Sequence, residues 1–264
     1  RDRSSRAALR SPKPPAQGLT TPMLDLSRYR TIIFDKDGTL LDFNAMWGGW
    51  VVTLAERLEA ATGLPLADEL YRSVDYDHAG QTVIAGGRLA LTPMAEMKVY
   101  THEFLRERGL PHEQAQAALA AAWHAPDPVV LARPLFDLAW LFGSLRARGL
   151  QIAVATSDDR GSTLATLAAH GAAQLVDVLV CADDGIPIKP EPQMVFEVCR
   201  ATGCRPAECV MVGDAVVDLQ MARAAGCLGV GVLSGLATAA QLGPWADVLL
   251  NNVVELVTPL DAAS

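Results

Sequence analysis

The chain has 264 residues, half of them apolar and 20% charged, with a formal net charge of −8. That length supports one sizeable core, or a core with a smaller insert. The acidic balance argues against a general nucleic-acid-binding surface. No apolar run approaches the ~18 residues of a membrane span, and no signal-peptide core is visible.

The charge is unevenly placed. The first 30 residues hold seven Lys/Arg and two Asp/Glu, a net of +5, which leaves −13 for the remainder. The opening "RDRSSRAALRSPKPPAQGLTTP" is rich in Arg, Ser and Pro, and its proline content argues against an amphipathic helix. Residues 1–28 are read as a disordered leader or upstream extension, with Met23 a candidate natural start, and are set apart from the fold.

"RTIIF" (30–34) is a short apolar run ending in polar residues, the pattern of a buried strand. Residues 44–133 show no strand pattern but three helical ones, at 45–63, 93–109 and 111–124. That stretch is too long for a loop and predicts a helical insert over the carboxyl edge of a sheet. Further strand-like runs follow at 150–156, 176–182, 209–213, 227–232 and 246–250. Helical patterns at 135–149, 161–171, 192–203 and 216–226 alternate with them. The rhythm predicts an α/β fold: a doubly wound parallel sheet, Rossmann-like, with its core in 29–43 and 134–264 and a helical cap domain inserted over 44–133. The five cysteines, Cys181, Cys199, Cys204, Cys209 and Cys227, include no CxxC pair and have no histidine at zinc spacing. They read as small buried thiols in a reducing, cytoplasmic setting.

Polar residues gather where the strands end: Asp35 and Asp37 after the first, Thr156 and Ser157 after the second, Asp183 and Asp184 after the third, Asp214 after the fourth. Open α/β sheets bind ligands at that edge. If the first strand stays extended, Asp35 and Asp37 point to one side and Lys36 to the other. Carboxylates so close either share a proton or surround a cation. With Asp214 they make an oxygen-rich set without His or Cys, which suits Mg2+ better than zinc. A calcium-loop reading of "DKDG" fails, because it requires an acid where Ile33 stands and a Glu where Asn44 stands.

"FDKDGTL" resembles the first motif, DxDGT, of the haloacid dehalogenase superfamily. Thr156 in "VATSDD", Lys189 in "IKPEP", and Asp214 with Asp218 in "VGDAVVDLQMARAAG" resemble its second, third and fourth motifs, in order. The resemblance covers about residues 30–250, and the insert resembles the family's C1-type cap in position and helical character. It implies a phosphatase in which Asp35 attacks phosphorus and Asp37 moves protons. Mg2+ would be held by Asp35, Asp214 and the backbone carbonyl of Asp37, with Asp218 behind, holding metal-bound water or Lys189. Thr156, Ser157 and Lys189 would bind or balance the phosphate, and Gly38 would allow a close backbone approach.

By the same resemblance, an acid at Asp37 implies phosphomonoesters as substrates. "LLDFNAMW" lacks the histidine that sugar phosphomutases carry after the first motif, which makes a mutase the second reading and a catalytically silent binding protein the third. The expected partner is a small phosphorylated metabolite, with a general likeness to phosphoglycolate phosphatases; no nucleic acid or membrane is expected, and the chain is expected to be a monomer or homodimer. Lys36 is expected to face the cap and meet a substrate carboxylate or a cap acid, or else to remain a partly solvated charge. Arg72, Tyr76, His78, Arg88, Lys98 and His102 are the cap's candidates for substrate selection, each with packing as the alternative. Trp47 and Trp50 read as core, Asp42 as a turn or cap residue, and Asp183 and Asp184 as structural.

Overall fold

A computed structural model describes residues 24–127 and 130–257. The strands among them are β1 (Thr31–Phe34), the two-residue pair β2 (Tyr76–Asp77) and β3 (Thr82–Val83), then β4 (Gln151–Ala155), β5 (Val178–Val180), β6 (Cys209–Gly213), β7 (Leu228–Val232) and β8 (Val248–Leu250). Six of them form one sheet in the order β5-β4-β1-β6-β7-β8, with every neighbouring pair parallel. The chain steps outward from β1 through β4 to β5, returns to the other side of β1 as β6, and steps outward again. That reversal opens a crevice at the carboxyl ends of β1 and β6, which is where ligands bind in such sheets.

Between β1 and β4 lies the helical insert. It begins with a π-helical turn, Asn44–Gly48, and continues as α1 (Gly49–Thr62), α2 (Ala67–Ser73), α3 (Arg88–Leu91), α4 (Met94–Glu107) and α5 (His112–Ala122). On α1, Trp50, Val51, Leu54, Ala55 and Leu58 recur at helical spacing and are buried. Gly63 ends the helix with φ +71°, its N–H returning to Glu59 O. These residues join Leu70, Met97, Phe104, Leu105 and Leu119 in an apolar cluster of the insert's own, while Trp47 and Leu131 pack against both it and the core.

The core helices are α6 (Leu138–Ala147), α7 (Arg160–Ala169), α8 (Gln193–Thr202) and α9 (Val216–Ala225). Asp137 starts α6 by accepting the Trp140 N–H at 2.9 Å. In the sheet, Ile32 is level with Ile152 and Val210, and Ile33 with Ala153 and Met211. Alternation sends the first row to the face covered by Leu141, Phe142 and Leu145 of α6. It sends the second to the face covered by Met194 and Val198 of α8 and Met221 of α9. Both faces are dry, so the strands read as continuous apolar runs.

The fold departs from sequence expectation in three places. Leu26, assigned to the leader, is buried in the core cluster with Tyr29, because the Tyr29 N–H returns to Leu26 O and sets both side chains inward; residues 1–23 of that leader lie outside the described residues. The insert contains the β2–β3 hairpin, too short to leave a periodic signal, held to the chain near the core by Val83 N–H donating to Asn44 Oδ1 at 2.8 Å. The expected 45–63 helix opens as a π turn rather than an α-helix. Among the described residues no helix is long and apolar enough to cross a membrane.

Candidate active site

Asp35 is the first residue beyond β1, and its N–H donates to Val212 O at 2.9 Å, so β6 fixes its backbone. Asp214 follows the end of β6. Asp218 lies in the first turn of α9, where its Oδ2 accepts the Ala215 N–H at 3.1 Å. Lys189 reaches in from the loop before α8, its Nζ 2.5 Å from Asp35 Oδ1 and 2.7 Å from Asp218 Oδ1. All four side chains are buried or nearly so. Asp35, Asp214 and Asp218 each offer an oxygen within 4.8 Å of the others.

Desolvation by burial, then the charges of Asp35 and Asp218, hold the Asp214 carboxyl well above the usual carboxylate range. Burial, opposed by Lys189, pushes Asp218 up to about 6. Burial disfavours the Lys189 ammonium, but Asp218 and Asp35 outweigh it and raise its pKa. One lysine therefore does not neutralise the cluster. An all-oxygen set carrying surplus negative charge fits a hard dication such as Mg2+.

Two glycines make room for Asp214. A Cβ on Gly38 would come 2.3 Å from Asp214 Oδ2, and one on Gly235 1.8 Å from the same atom. Gly38 also has φ +86°, a conformation that favours glycine. Thr39 Oγ1 donates to Asp214 Oδ1 and Leu236 N–H to Oδ2, both at 3.2 Å. Gly38's own N–H is already donated to Leu41 O at 2.7 Å. Its contribution is therefore the close approach; any phosphate-facing N–H must come from its neighbours.

Lys36 is not where the sequence placed it. It meets neither solvent nor an acid of the insert: it is 1% exposed, with Nζ 2.9 Å from Asp37 and 3.1 Å from Asp158 Oδ2. The extended geometry does not persist past β1. The chain turns, with Leu40 and Leu41 N–H groups returning to Lys36 O, and the Lys36 and Asp37 side chains converge instead of diverging. Asp37's carboxylate lies outside the Asp35–Asp214–Asp218 group. Burial raises the Asp37 pKa, Lys36 opposes, and Asp158 and Asp35 add to the rise. Burial also disfavours the charge on Lys36, yet Asp37 and Asp158 together hold its pKa above the ordinary lysine value.

Asp158 is itself fixed: its N–H donates to Thr156 Oγ1 at 3.1 Å, and it accepts the Ser162 hydroxyl at 3.0 Å and the Asp159 N–H at 2.8 Å. Thr156 is buried beneath it, and Ser157 is exposed. Asp184 pairs with Arg160 at 2.7 Å, and Asp183 accepts the Arg160 N–H, so both brace the start of α7. Asp42 caps the π turn by accepting the Ala45 N–H at 3.1 Å.

The insert's candidates divide. Arg72, Tyr76 and His78 line an open hollow with Tyr71, Asp68, Asp75 and Asp77, where His78 stacks on Tyr71 at 4.6 Å. Arg88 lies 3.9 Å over the Tyr100 ring, Lys98 5.9 Å over Trp123, and His102 pairs with its neighbour Glu103. Arg88 and Lys98 are exposed and His102 is half-buried, each in contact with a residue of the insert itself. Sequence reasoning passed over Asp158, Thr39, Gly235 and Leu236. Asp158 and Thr39 had readable signals: a further acid in "VATSDD", two residues after the threonine that drew the motif match, and the closing threonine of the DxDGT match in "FDKDGTL".

A family profile described as haloacid dehalogenase-like hydrolase matches residues 29–226. That match spans well over half of the chain, which therefore belongs to the haloacid dehalogenase-like hydrolases. N-acetylmuramic acid 6-phosphate phosphatase of Pseudomonas aeruginosa is 27% identical over 241 residues, covering 89% of this chain and 96% of its own. Phosphoglycolate phosphatase of Chromobacterium violaceum is 28% identical over 234 residues, covering 88% and 97%. A solved HAD-superfamily hydrolase, subfamily IA, variant 1, from Geobacter sulfurreducens shares the fold at a TM-score of 0.63 and 18% identity, covering 87% of this chain and 95% of that one. Within the family this chain is a phosphatase, a hydrolase of phosphoric monoesters, and the non-catalytic reading gives way.

Proposed function

We propose that the chain hydrolyses a small phosphorylated metabolite through an aspartyl-phosphate on Asp35, with Mg2+ as cofactor. The observation that supports this most is the Asp35 carboxylate at the strand-order reversal, clamped by Lys189 and set against Asp214 and Asp218.

An Asp35 oxygen forms the new bond to phosphorus as the ester P–O bond breaks, and Asp37 gives its proton to the leaving oxygen. Water then attacks phosphorus while Asp37 takes its proton. The P–O bond to Asp35 breaks and phosphate leaves. Burial's upward push on the Asp37 pKa favours the proton-carrying form that the first half needs. Lys189 balances the charge of nucleophile and phosphate. Thr156, whose Oγ1 accepts from the Asp158 N–H, keeps its hydroxyl proton for a phosphate oxygen, and Ser157 stands exposed beside it. Asp35, Asp214 and the Asp37 carbonyl, with Asp218 behind, would hold Mg2+, which would supply charge to offset repulsion between the nucleophile and a phosphate dianion. The insert serves as the cap whose opening admits substrate and whose closure excludes bulk water.

Phosphoglycolate and N-acetylmuramic acid 6-phosphate, the substrates in its relatives' names, are the first to try. Phosphate release from p-nitrophenyl phosphate, with and without Mg2+, followed by a panel of these and hexose phosphates, tests the reading. Release that ignores Mg2+, or that survives Asp35→Asn, contradicts it. An isomerised hexose phosphate in place of free phosphate would mark a mutase.

A further inference from the structure

At the amino end of the sheet, on the far side of the core from Asp35, three thiols converge. Cys209 is the first residue of β6, level with Thr31 of β1. Cys199 lies in the last turn of α8. The chain leaving α8 folds back, the Cys204 N–H returning to Cys199 O at 3.2 Å, which brings the third sulfur alongside. The Cys199 and Cys209 sulfurs are 3.6 Å apart, those of Cys204 and Cys209 3.1 Å, and all three lie within 4.8 Å of one another. All three residues are buried. Ordinary non-bonded packing keeps even carbon atoms about 3.5–4.0 Å apart, so the Cys204–Cys209 approach is closer than packing alone requires. The hydroxyl oxygens of Thr202 and Thr31 lie 2.9 and 3.5 Å from the Cys204 sulfur, a polar flank where a thiolate would sit.

We propose that Cys199, Cys204 and Cys209 form a binding site for one monovalent copper ion. A disulfide would use two sulfurs and leave the third idle, whereas one ion can use all three at the ~2.3 Å of a metal–sulfur bond. Soft thiolates select Cu+ or Zn2+. Structural Zn2+ takes four protein ligands, and among the described residues no fourth His, Cys, Asp or Glu joins this group. Three sulfurs and no fourth side chain suit the monovalent ion. Binding exchanges thiol protons for the ion, and those protons leave to solvent. The site is separate from the catalytic cluster: β6 runs from Cys209 to Gly213, just before Asp214, about 16 Å of extended chain.

The test is a titration of the reduced full chain with Cu+ under argon, against bicinchoninate as a competing coloured ligand. Wild type withdraws one equivalent. Cys204→Ser and Cys199→Ala, checked for folding by circular dichroism, compete at least about tenfold more weakly. Cys181→Ala, outside the cluster, matches wild type. No withdrawal by wild type, or undiminished withdrawal by folded Cys204→Ser and Cys199→Ala, overturns the site. A parallel Zn2+ titration in which Zn2+ binds and Cu+ does not overturns the choice of ion.

Discussion

At the carboxyl edge of the sheet, Asp35, Lys189, Asp214 and Asp218 are buried together with fixed partners. In the insert, Arg88 and Lys98 rest on aromatic rings and Arg72 borders an open hollow. The same residue types thus work under opposite conditions. A buried charge is tolerable only with its particular partner, so residue identity there is tightly bound to chemistry. A cation laid over a ring near solvent contributes about 1 kcal/mol and is exchangeable. The insert is specified chiefly by its apolar face, the edge by its polar atoms.

The largest effect expected is on chemistry. Asp35→Asn removes the nucleophile and should lower phosphate release about 10⁴-fold or more, read as kcat/KM on p-nitrophenyl phosphate; a near-wild-type rate would dissolve the distinction between edge and insert. Next comes the insert's core. Trp50 is fully buried, edge-on to Trp123 at 5.4 Å, with Nε1 donating to His124 O at 2.9 Å. Trp50→Ala should cost about 3–5 kcal/mol in urea unfolding.

Lys36→Met leaves Asp37 and Asp158 without their shared cation and should cost about 3 kcal/mol. Replacing Asp158 by Asn in the same chain should recover part of that loss, because it removes one of the stranded charges; no recovery would show that the loss does not come from the stranded carboxylates. Smallest of all, Arg88→Ala and Lys98→Ala should change stability by less than about 1 kcal/mol and leave kcat/KM near wild type. A tenfold loss in either would move that residue from packing to substrate recognition.

Much of the edge was legible because the first, second and fourth motifs sit where an apolar run stops, and strand ends are well marked by hydrophobic pattern. Lys36 was misplaced for a local reason: alternation holds only while the strand does, and the turn at Gly38 with φ +86° brings the Lys36 and Asp37 side chains together. Gly235 and Leu236 could not be read at all. They matter through a backbone N–H and the lack of a side chain, contacts set by how the segment after β7 crosses Asp214. In the insert, helices α4 and α5 followed their periodicity. The β2–β3 pair, at two residues per strand, carried none.

The central claim is that Asp35 carries the phosphoryl group between two chemical steps. Acetyl phosphate has a leaving group that needs little acid help, so Asp37→Asn should form the covalent intermediate and be slow to hydrolyse it. Acid-quenching that variant with radiolabelled acetyl phosphate and Mg2+, then mapping its peptides, reads the claim directly. The expected result is acid-stable label on the peptide containing Asp35, absent when Asp35 is also changed to Asn. Label on another peptide, or label that persists without Asp35, contradicts the account.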